Sequence, residues 1–170
     1  LGGGTVLDVA GYAAAQARGG VNIVRLPTTP LAMMSAAFAR QASVNASSVK
    51  DALRVPSVPS AVVVDPLFAN SVLDGVWRSG MGAAARLAAA TDAALLKKLE
   101  KLTPDYAARR PGVLEDVLKA VLAVRAKKGG SDFALWAANR IESLSGYKLP
   151  HGYGVSIGLV LELCASVEDR

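Results

Sequence analysis

Four small groups of residues carry the chemistry available to this sequence. Gly2-Gly3-Gly4 with Asp8 comes first. Glycines let a backbone approach a pyrophosphate closely, and the N-terminus of a following helix favours negative charge. Asp8 could accept a hydrogen bond from a ribose or an amide. The other reading is a plain glycine turn with an acidic residue early in a helix. Pro27-Thr28-Thr29-Pro30 comes second. Hydroxyls at the C-terminal end of a parallel strand stand where α/β folds bind ligands, and the same hydroxyls can cap a helix starting near Leu31. Lys50 could meet a nucleotide or substrate phosphate, or simply be solvated. His151, the single histidine, could be a zinc ligand or a structural residue at a helix start. A catalytic zinc commonly needs several His or carboxylate ligands, which one imidazole cannot supply.

These groups need elements to position them. The spacing of Leu7, Ala10, Ala14 and Ala17 predicts a helix over 7–18, ended by Gly19-Gly20. Residues 21–26 read as a strand, stopped by Pro27, and residues 61–64 as a second, closed by Asp65-Pro66. A polar connector spans 40–59. Strand–helix alternation of this kind predicts a parallel sheet. After Pro66 the chain reads as helical throughout. One long helix is expected over 79–102, with Pro104 in a first helical turn. An amphipathic helix follows over 112–128, with Val113, Val117, Val121 and Val124 on one face. Gly129-Gly130 stops it. Ser131 or Asp132 is the expected cap of a helix over 133–145, ended by Gly146, and Pro150 precedes a last helix over 151–167. The change of composition divides the chain into an α/β piece, 1–70, and an all-helical piece, 71–170. A glycine turn of this kind is normally delivered by a strand, and only Leu1 stands ahead of it. The α/β piece therefore reads as one whose N-terminal portion is missing or supplied by a partner.

Composition excludes several classes. Hydrophobic residues make up 52% of the 170 residues and charged residues 19%, which rules out a disordered tail. One cysteine, Cys164, rules out an intramolecular disulfide framework and Cys-rich zinc modules, and fits a reducing compartment. The best apolar run, 155–167, is shorter than the roughly 20 residues of a spanning helix and contains Glu162. The opening residues do not read as a secretory signal. A pI near 9.6 permits phosphate contacts, but the basic residues are scattered and no nucleic-acid motif is present. No membrane or nucleic-acid partner is expected.

Taken in order, the pieces resemble the dehydroquinate synthase family. The resemblance is carried by Gly2-Gly3-Gly4-x-x-x-Asp8-x-x-Gly11, Leu26-Pro27-Thr28-Thr29, Val44-Asn45-x-x-x-x-Lys50, Pro59-x-Ala61-Val62-x-x-Asp65-Pro66 and His151-Gly152-x-x-Val155-x-x-Gly158. It runs through the whole chain, without gaps to about Glu100 and then with one shortened loop over 127–131. It implies part of a Rossmann-like nucleotide-binding domain followed by a helical metal and substrate domain. The implied cofactors are NAD and zinc, and the implied location is the cytoplasm. The implied reaction belongs to the shikimate pathway of aromatic amino acid biosynthesis. A lyase of this family cyclises 3-deoxy-D-arabino-heptulosonate 7-phosphate to 3-dehydroquinate and releases phosphate. Related sugar-phosphate cyclases and polyol dehydrogenases share the architecture.

Carried over by position, the resemblance places Gly4, Thr5, Val6, Leu7 and Asp8 on the pyrophosphate and nicotinamide side of NAD. Thr28 and Thr29 add hydroxyl contacts. Lys50 stands at the lysine of the family's Gly-Lys-Asn motif, flanked here by Val49 and Asp51. Phe68, Ala69, Asn70 and Ser71 match the segment that closes over the cofactor. The metal positions differ. The family's glutamate ligand falls on Ala83, its first histidine ligand on Leu135, and only His151 remains, one ligand of three. A lysine three residues after the glutamate becomes Arg86, a phosphate-contacting lysine becomes Gln41, and an acidic position becomes Ser35. The chain also ends before the family's last helices. Two readings stay open: a truncated or diverged lyase acting on a sugar phosphate, with Lys50 and His151 as its catalytic remnants, or a non-catalytic NAD- or partner-binding pseudoenzyme. Both imply a homodimer or a complementing chain.

Overall fold

The computed structural model describes residues 1–47 and 49–168. The chain divides into two compact units, one through Val72 and one from Leu73.

The first unit is α/β. Helix α1 (Gly4–Gln16) is followed by strand β1 (Val24–Arg25), helix α2 (Pro30–Met34), strands β2 (Gln41–Ala46), β3 (Val49–Pro56) and β4 (Ala61–Val62). Short 3₁₀ turns occupy Ala36–Phe38 and Pro66–Ala69. Helix α1 starts at Gly4 rather than residue 7. It ends as the glycine pair demands: Gly19 and Gly20 take φ of +82° and +72°, and the Gly20 amide closes the end on the Ala17 carbonyl. Strands β1 and β4 pair in parallel, Val24 against Ala61 and Arg25 against Val62. Both are shorter than their apolar runs. Pro27 has no amide to extend the ladder. Leu7 on α1 packs with Ala32 and Ala37, and Phe38 and Val62 complete this small core.

The connector over 40–59 is not a loop. It is the antiparallel hairpin β2–β3, with an irregularity between Val44 and Ala46. Its interior is slight, with Ala42 the buried residue of the two strands, so no alternating apolar pattern marks it. Polar side chains hold the hairpin instead. The Ser43 hydroxyl donates to Asp51 Oδ1, and the Asp51 amide, at φ +53°, donates to Asn45 Oδ1.

The second unit is helical: α3 (Asp74–Thr91), α4 (Ala93–Ala107), α5 (Val113–Lys128), α6 (Leu135–Leu144) and α7 (His151–Glu168). The single helix expected over 79–102 is broken at Asp92, whose extended backbone and Oδ1, bonded to the Leu95 amide, cap α4. Pro104 lies inside α4, not in a first turn. Helix α6 begins at Leu135. Its cap is Ala134 in the left-handed region, with its amide held by Glu162 Oε2, while Ser131 Oγ accepts from the Phe133 amide. Helix α5 buries Val113, Val117 and Val121 of the expected face, each buried valine adding roughly 1.5–3 kcal/mol, while Val124 is half-buried and Leu114 and Leu118 complete the buried side.

Helix α7 packs through glycines on two sides. A Cβ on Gly152 would stand 2.2 Å from the Ser79 carbonyl oxygen of α3, and one on Gly82 would stand 2.5 Å from the Gly152 carbonyl oxygen. On the α6 side, Gly158 lies against the Ala134 carbonyl and Gly154 against that of Ala138. Among the described residues, no helix is long and apolar enough to cross a membrane.

Candidate functional site

The glycine turn and the Pro-Thr-Thr segment are hydrogen-bonded to each other. The Gly2 amide donates to the Leu26 carbonyl at 3.1 Å, and the Thr28 amide to the Gly2 carbonyl at 2.9 Å. Gly2 and Pro27 thereby form a parallel bridge. The backbone at Gly2 acts as the end of a strand beside β1, and β4 flanks β1 on its other side. Three parallel segments leave the sheet at one edge, into α1, α2 and the Pro66–Ala69 turn. That edge, outside the carboxyl ends of parallel strands, is where α/β sheets bind ligands.

The edge has little room for side chains on the turn. A Cβ on Gly2 would meet that of Val6 at 2.6 Å, and one on Gly3 would come within 3.2 Å of Thr29 Cγ2. Gly3 is the N-cap of α1 and supplies no side-chain cap. The first-turn amides of α1 at Gly4, Thr5 and Val6 therefore point out of the helix end, as donors for an anion. Thr29 Oγ1 accepts from the Ala32 amide, so it caps α2 while keeping its own O–H to donate. The two readings of these hydroxyls are compatible. Leu7 differs from its neighbours: its amide bonds the Gly3 carbonyl and its side chain lies in the core. Ala69 is likewise buried, whereas Phe68, Asn70 and Ser71 are exposed after the turn capped by Asp65. Lys50 is half-buried on β3, within the hairpin.

Beneath this edge lies a residue the sequence reading passed over. Arg25, 2% exposed, spreads its guanidinium over the carbonyls of Ala36, Ala37, Ala39 and Ser57 and over Ser57 Oγ. Burial pulls its pKa down, and the Asp8 carboxylate pulls it partly back. A charged residue inside a β-branched run reads as exposed; its place two residues before Pro27 was the only hint. A shallow cavity of about 400 Å³ lies at the opposite end of α1, around Ala14, Gly19, Gly20, Val21 and Ser57, and no charged residue lines it.

In the second unit His151 is the first residue of α7. Its Nδ1 lies 2.5 Å from Glu142 Oε1, and Glu142 is 6% exposed. The chemistry of the donor set does not fit a zinc ion. Ala83 is a buried alanine of α3 and Leu135 an apolar residue of α6, neither with a lone pair. No group of three His, Cys, Asp or Glu side chains suitable for a metal occurs among the described residues. Position 83 stands near position 151, since Gly82 packs on Gly152, but the start of α6 packs further along α7. Ala134, beside Leu135, faces Gly158, whereas Glu142 faces Gly154 and His151. At 1.5 Å rise per residue, Gly158 is about 10 Å along α7 from His151. Arg86, at the family's lysine position, is buried and donates to the Ser131 carbonyl at 2.6 Å. Burial lowers its pKa, Asp132 raises it and Arg125 lowers it further.

Comparison with known proteins agrees with this fold. The family described as 3-dehydroquinate synthase N-terminal matches residues 1–78. A 3-dehydroquinate synthase of Nostoc punctiforme is 30% identical over 174 residues, covering 94% of this chain and 48% of the relative. That of Prochlorococcus marinus is 31% identical, covering 94% and 47%. The chain thus spans about half the length of the curated relatives it matches. Among solved structures, a 2-epi-5-epi-valiolone synthase from Streptomyces hygroscopicus subsp. jinggangensis, with NAD+ and Zn2+ bound, superposes with a TM-score of 0.85 at 26% identity, over 94% of this chain and 48% of that one. A 2-deoxy-scyllo-inosose synthase shares the fold, with a TM-score of 0.66 at 20% identity over 94% of this chain and 47% of its own. With residues 1–78 matching the family model and 94% of the chain similar to 3-dehydroquinate synthases at 30–31% identity, the chain belongs to the dehydroquinate synthase family.

Proposed function

We propose that this chain binds NAD at the edge where the Gly2 segment, β1 and β4 leave the sheet, as a diverged member of its family. The observation that carries the reading is the pair of hydrogen bonds joining the glycine turn to Leu26 and Thr28. It sets first-turn amides and threonine hydroxyls around one place. A dinucleotide pyrophosphate needs that combination: backbone donors, no intervening side chains and the positive end of a helix. NAD bound there would supply a hydride acceptor for a ring alcohol. The chain's own contribution is to hold the pyrophosphate at residues 4–6, orient the cofactor through Thr28 and Thr29, and add the charge of Lys50. Phe68 to Ser71 would close over it. Relatives named 3-dehydroquinate synthase make a sugar phosphate the substrate class to expect.

The zinc-dependent part of the family's chemistry does not follow for this chain. Ala83 and Leu135 cannot coordinate, and no group of three suitable side chains occurs among the described residues. These observations favour a second reading, in which the chain is a non-catalytic NAD-binding relative working as a homodimer or with a complementing chain in the cytoplasm. The experiment is calorimetry with NAD on the purified chain, together with zinc analysis of the chain and of His151→Ala. NAD binding without stoichiometric zinc is the expected result. Stoichiometric zinc that disappears in His151→Ala overturns the metal-free reading, and absence of NAD binding overturns the cofactor reading.

A further inference from the structure

From the bonds of its guanidinium, we infer that Arg25 is the positioning residue of the cofactor edge, acting through Ser57 on helix α1. The inference rests on the cofactor reading above and names a residue for which that reading has no role.

Arg25 reaches two of the segments that frame the edge, the α2 segment directly and α1 through Ser57. Its Nη1 donates to the carbonyls of Ala36, Ala37 and Ala39, at 3.3, 3.4 and 2.7 Å. These carbonyls lie just past α2, whose N-cap is Thr29. Its Nη2 donates to the Ser57 carbonyl at 3.0 Å and to Ser57 Oγ at 3.2 Å. Ser57 Oγ in turn donates to the Gly11 carbonyl of α1 at 3.3 Å, and the Ser57 amide bonds the Arg40 carbonyl at the start of the hairpin. One side chain on β1 thus ties together the exit of α2, the end of the hairpin and the middle of α1. Gly11 shows how tightly. A Cβ there would stand 2.9 Å from Ser57 Oγ, 3.1 Å from Ala42 Cβ and 3.2 Å from Arg25 Nη2.

A buried guanidinium is an expensive way to fill this space. Apolar side chains of similar volume often stabilise as well or better, while an ionic group fixes a unique arrangement. The arrangement fixed here is the offset between the α1 N-terminus and the Thr28-Thr29 hydroxyls. A shift of about 1 Å in such a constellation can cost on the order of a hundredfold. A lysine cannot substitute, since an ammonium offers no planar fork for acceptors on both sides.

The test measures NAD and inorganic pyrophosphate binding by calorimetry in the cold, where every variant that folds is folded, with thermal melts in parallel. Arg25→Met is expected to weaken both ligands about tenfold or more, and Arg25→Lys to restore neither. Ser57→Ala is expected to weaken both about threefold, and to add nothing when combined with Arg25→Met, because the two act as one relay. A residue that served only global stability would move the melts and leave these affinities unchanged. A folded Arg25→Met with wild-type affinity overturns the inference. Should Arg25→Met not fold, unchanged affinity in Ser57→Ala overturns it instead. Wild-type protein that binds pyrophosphate but not NAD removes the cofactor reading and leaves Arg25 to be judged on pyrophosphate. Protein that binds neither removes both.

Discussion

The two units have treated the same inheritance differently. In the first, the positions that resemble a cofactor site have the local geometry proposed above for holding NAD. Glycines stand where side chains would collide with Val6 and Thr29, and threonines stand at the strand end. In the second, two of the three positions that the resemblance assigns to a metal carry no lone pair. Ala83 is buried in α3 and Leu135 opens α6, while His151 bonds Glu142 through Nδ1. The helices around them are nevertheless closely fitted, with Gly82, Gly152, Gly154 and Gly158 seating α7 against its neighbours. The difference teaches that a scaffold and the site it carries are separable. Close helix packing depends on small residues and shape, whereas a metal depends on three lone pairs converging on one point. The second unit shows the former, and Ala83 and Leu135 do not supply the latter.

The largest effect should come from disturbing that scaffold. Gly152→Ala places a methyl 2.2 Å from the Ser79 carbonyl oxygen, a backbone atom that cannot swing away. Helix α7 must shift off α3, and the expected loss is about 3 kcal/mol, at the upper end of overpacking costs. Hydrogen exchange should locate the loss in amides from residue 73 onward and leave α1 and β1 as protected as before. A variant with wild-type stability would mean that α7 is seated less tightly than its glycines imply, and the contrast between the units would weaken.

Much of the first unit was legible in the sequence because its signals are local. Gly19-Gly20, Pro27 and Asp65-Pro66 each act on the backbone where they stand. The hairpin over 41–56 was not legible, since its stability comes from Ser43, Asn45 and Asp51 bonding one another rather than from alternating burial. Arg25 was missed because its acceptors lie 11 to 32 residues away. In the second unit the run of helix formers from Ala83 to Lys98 hid the break at Asp92. An aspartate followed by three residues and a helical pattern is a legitimate start signal that the Ala-rich flanks outweighed. Pro104 was read as a helix start because Pro favours first turns, although it stands in the last turn of α4. The partnership of Glu142 with His151 crosses from one helix to the next and carries no periodic signature.

A smaller effect tests the first unit on its own terms. Gly3 has ordinary extended backbone angles, so a side chain there is tolerated by the chain itself. Gly3→Val would wedge its branches between the turn and Thr29 Cγ2, 3.2 Å from the new Cβ. The fold should survive with less than about 1 kcal/mol lost, as expected away from the core. NAD affinity should fall about tenfold, equivalent to about 1.4 kcal/mol. Calorimetry beside a thermal melt separates the two quantities. Equal losses in both would show that the turn serves folding and not a ligand.

The smallest expected effect is none at all, and it bears most directly on what the second unit has lost. Restoring ligand chemistry by Ala83→Glu with Leu135→His would complete a list of three donors with His151. A list is not a site. Position 83 lies near His151, since Gly82 packs on Gly152, but the start of α6 faces Gly158, about two helical turns further along α7. Zinc analysis should therefore find no stoichiometric metal in the double variant, nor in Leu135→His alone, which serves if a buried glutamate at position 83 prevents folding. Stoichiometric zinc in the double variant would show that the convergence of the three positions has survived. The second unit would then be a metal site lacking only its side chains, and the contrast with the first unit would shrink to two substitutions.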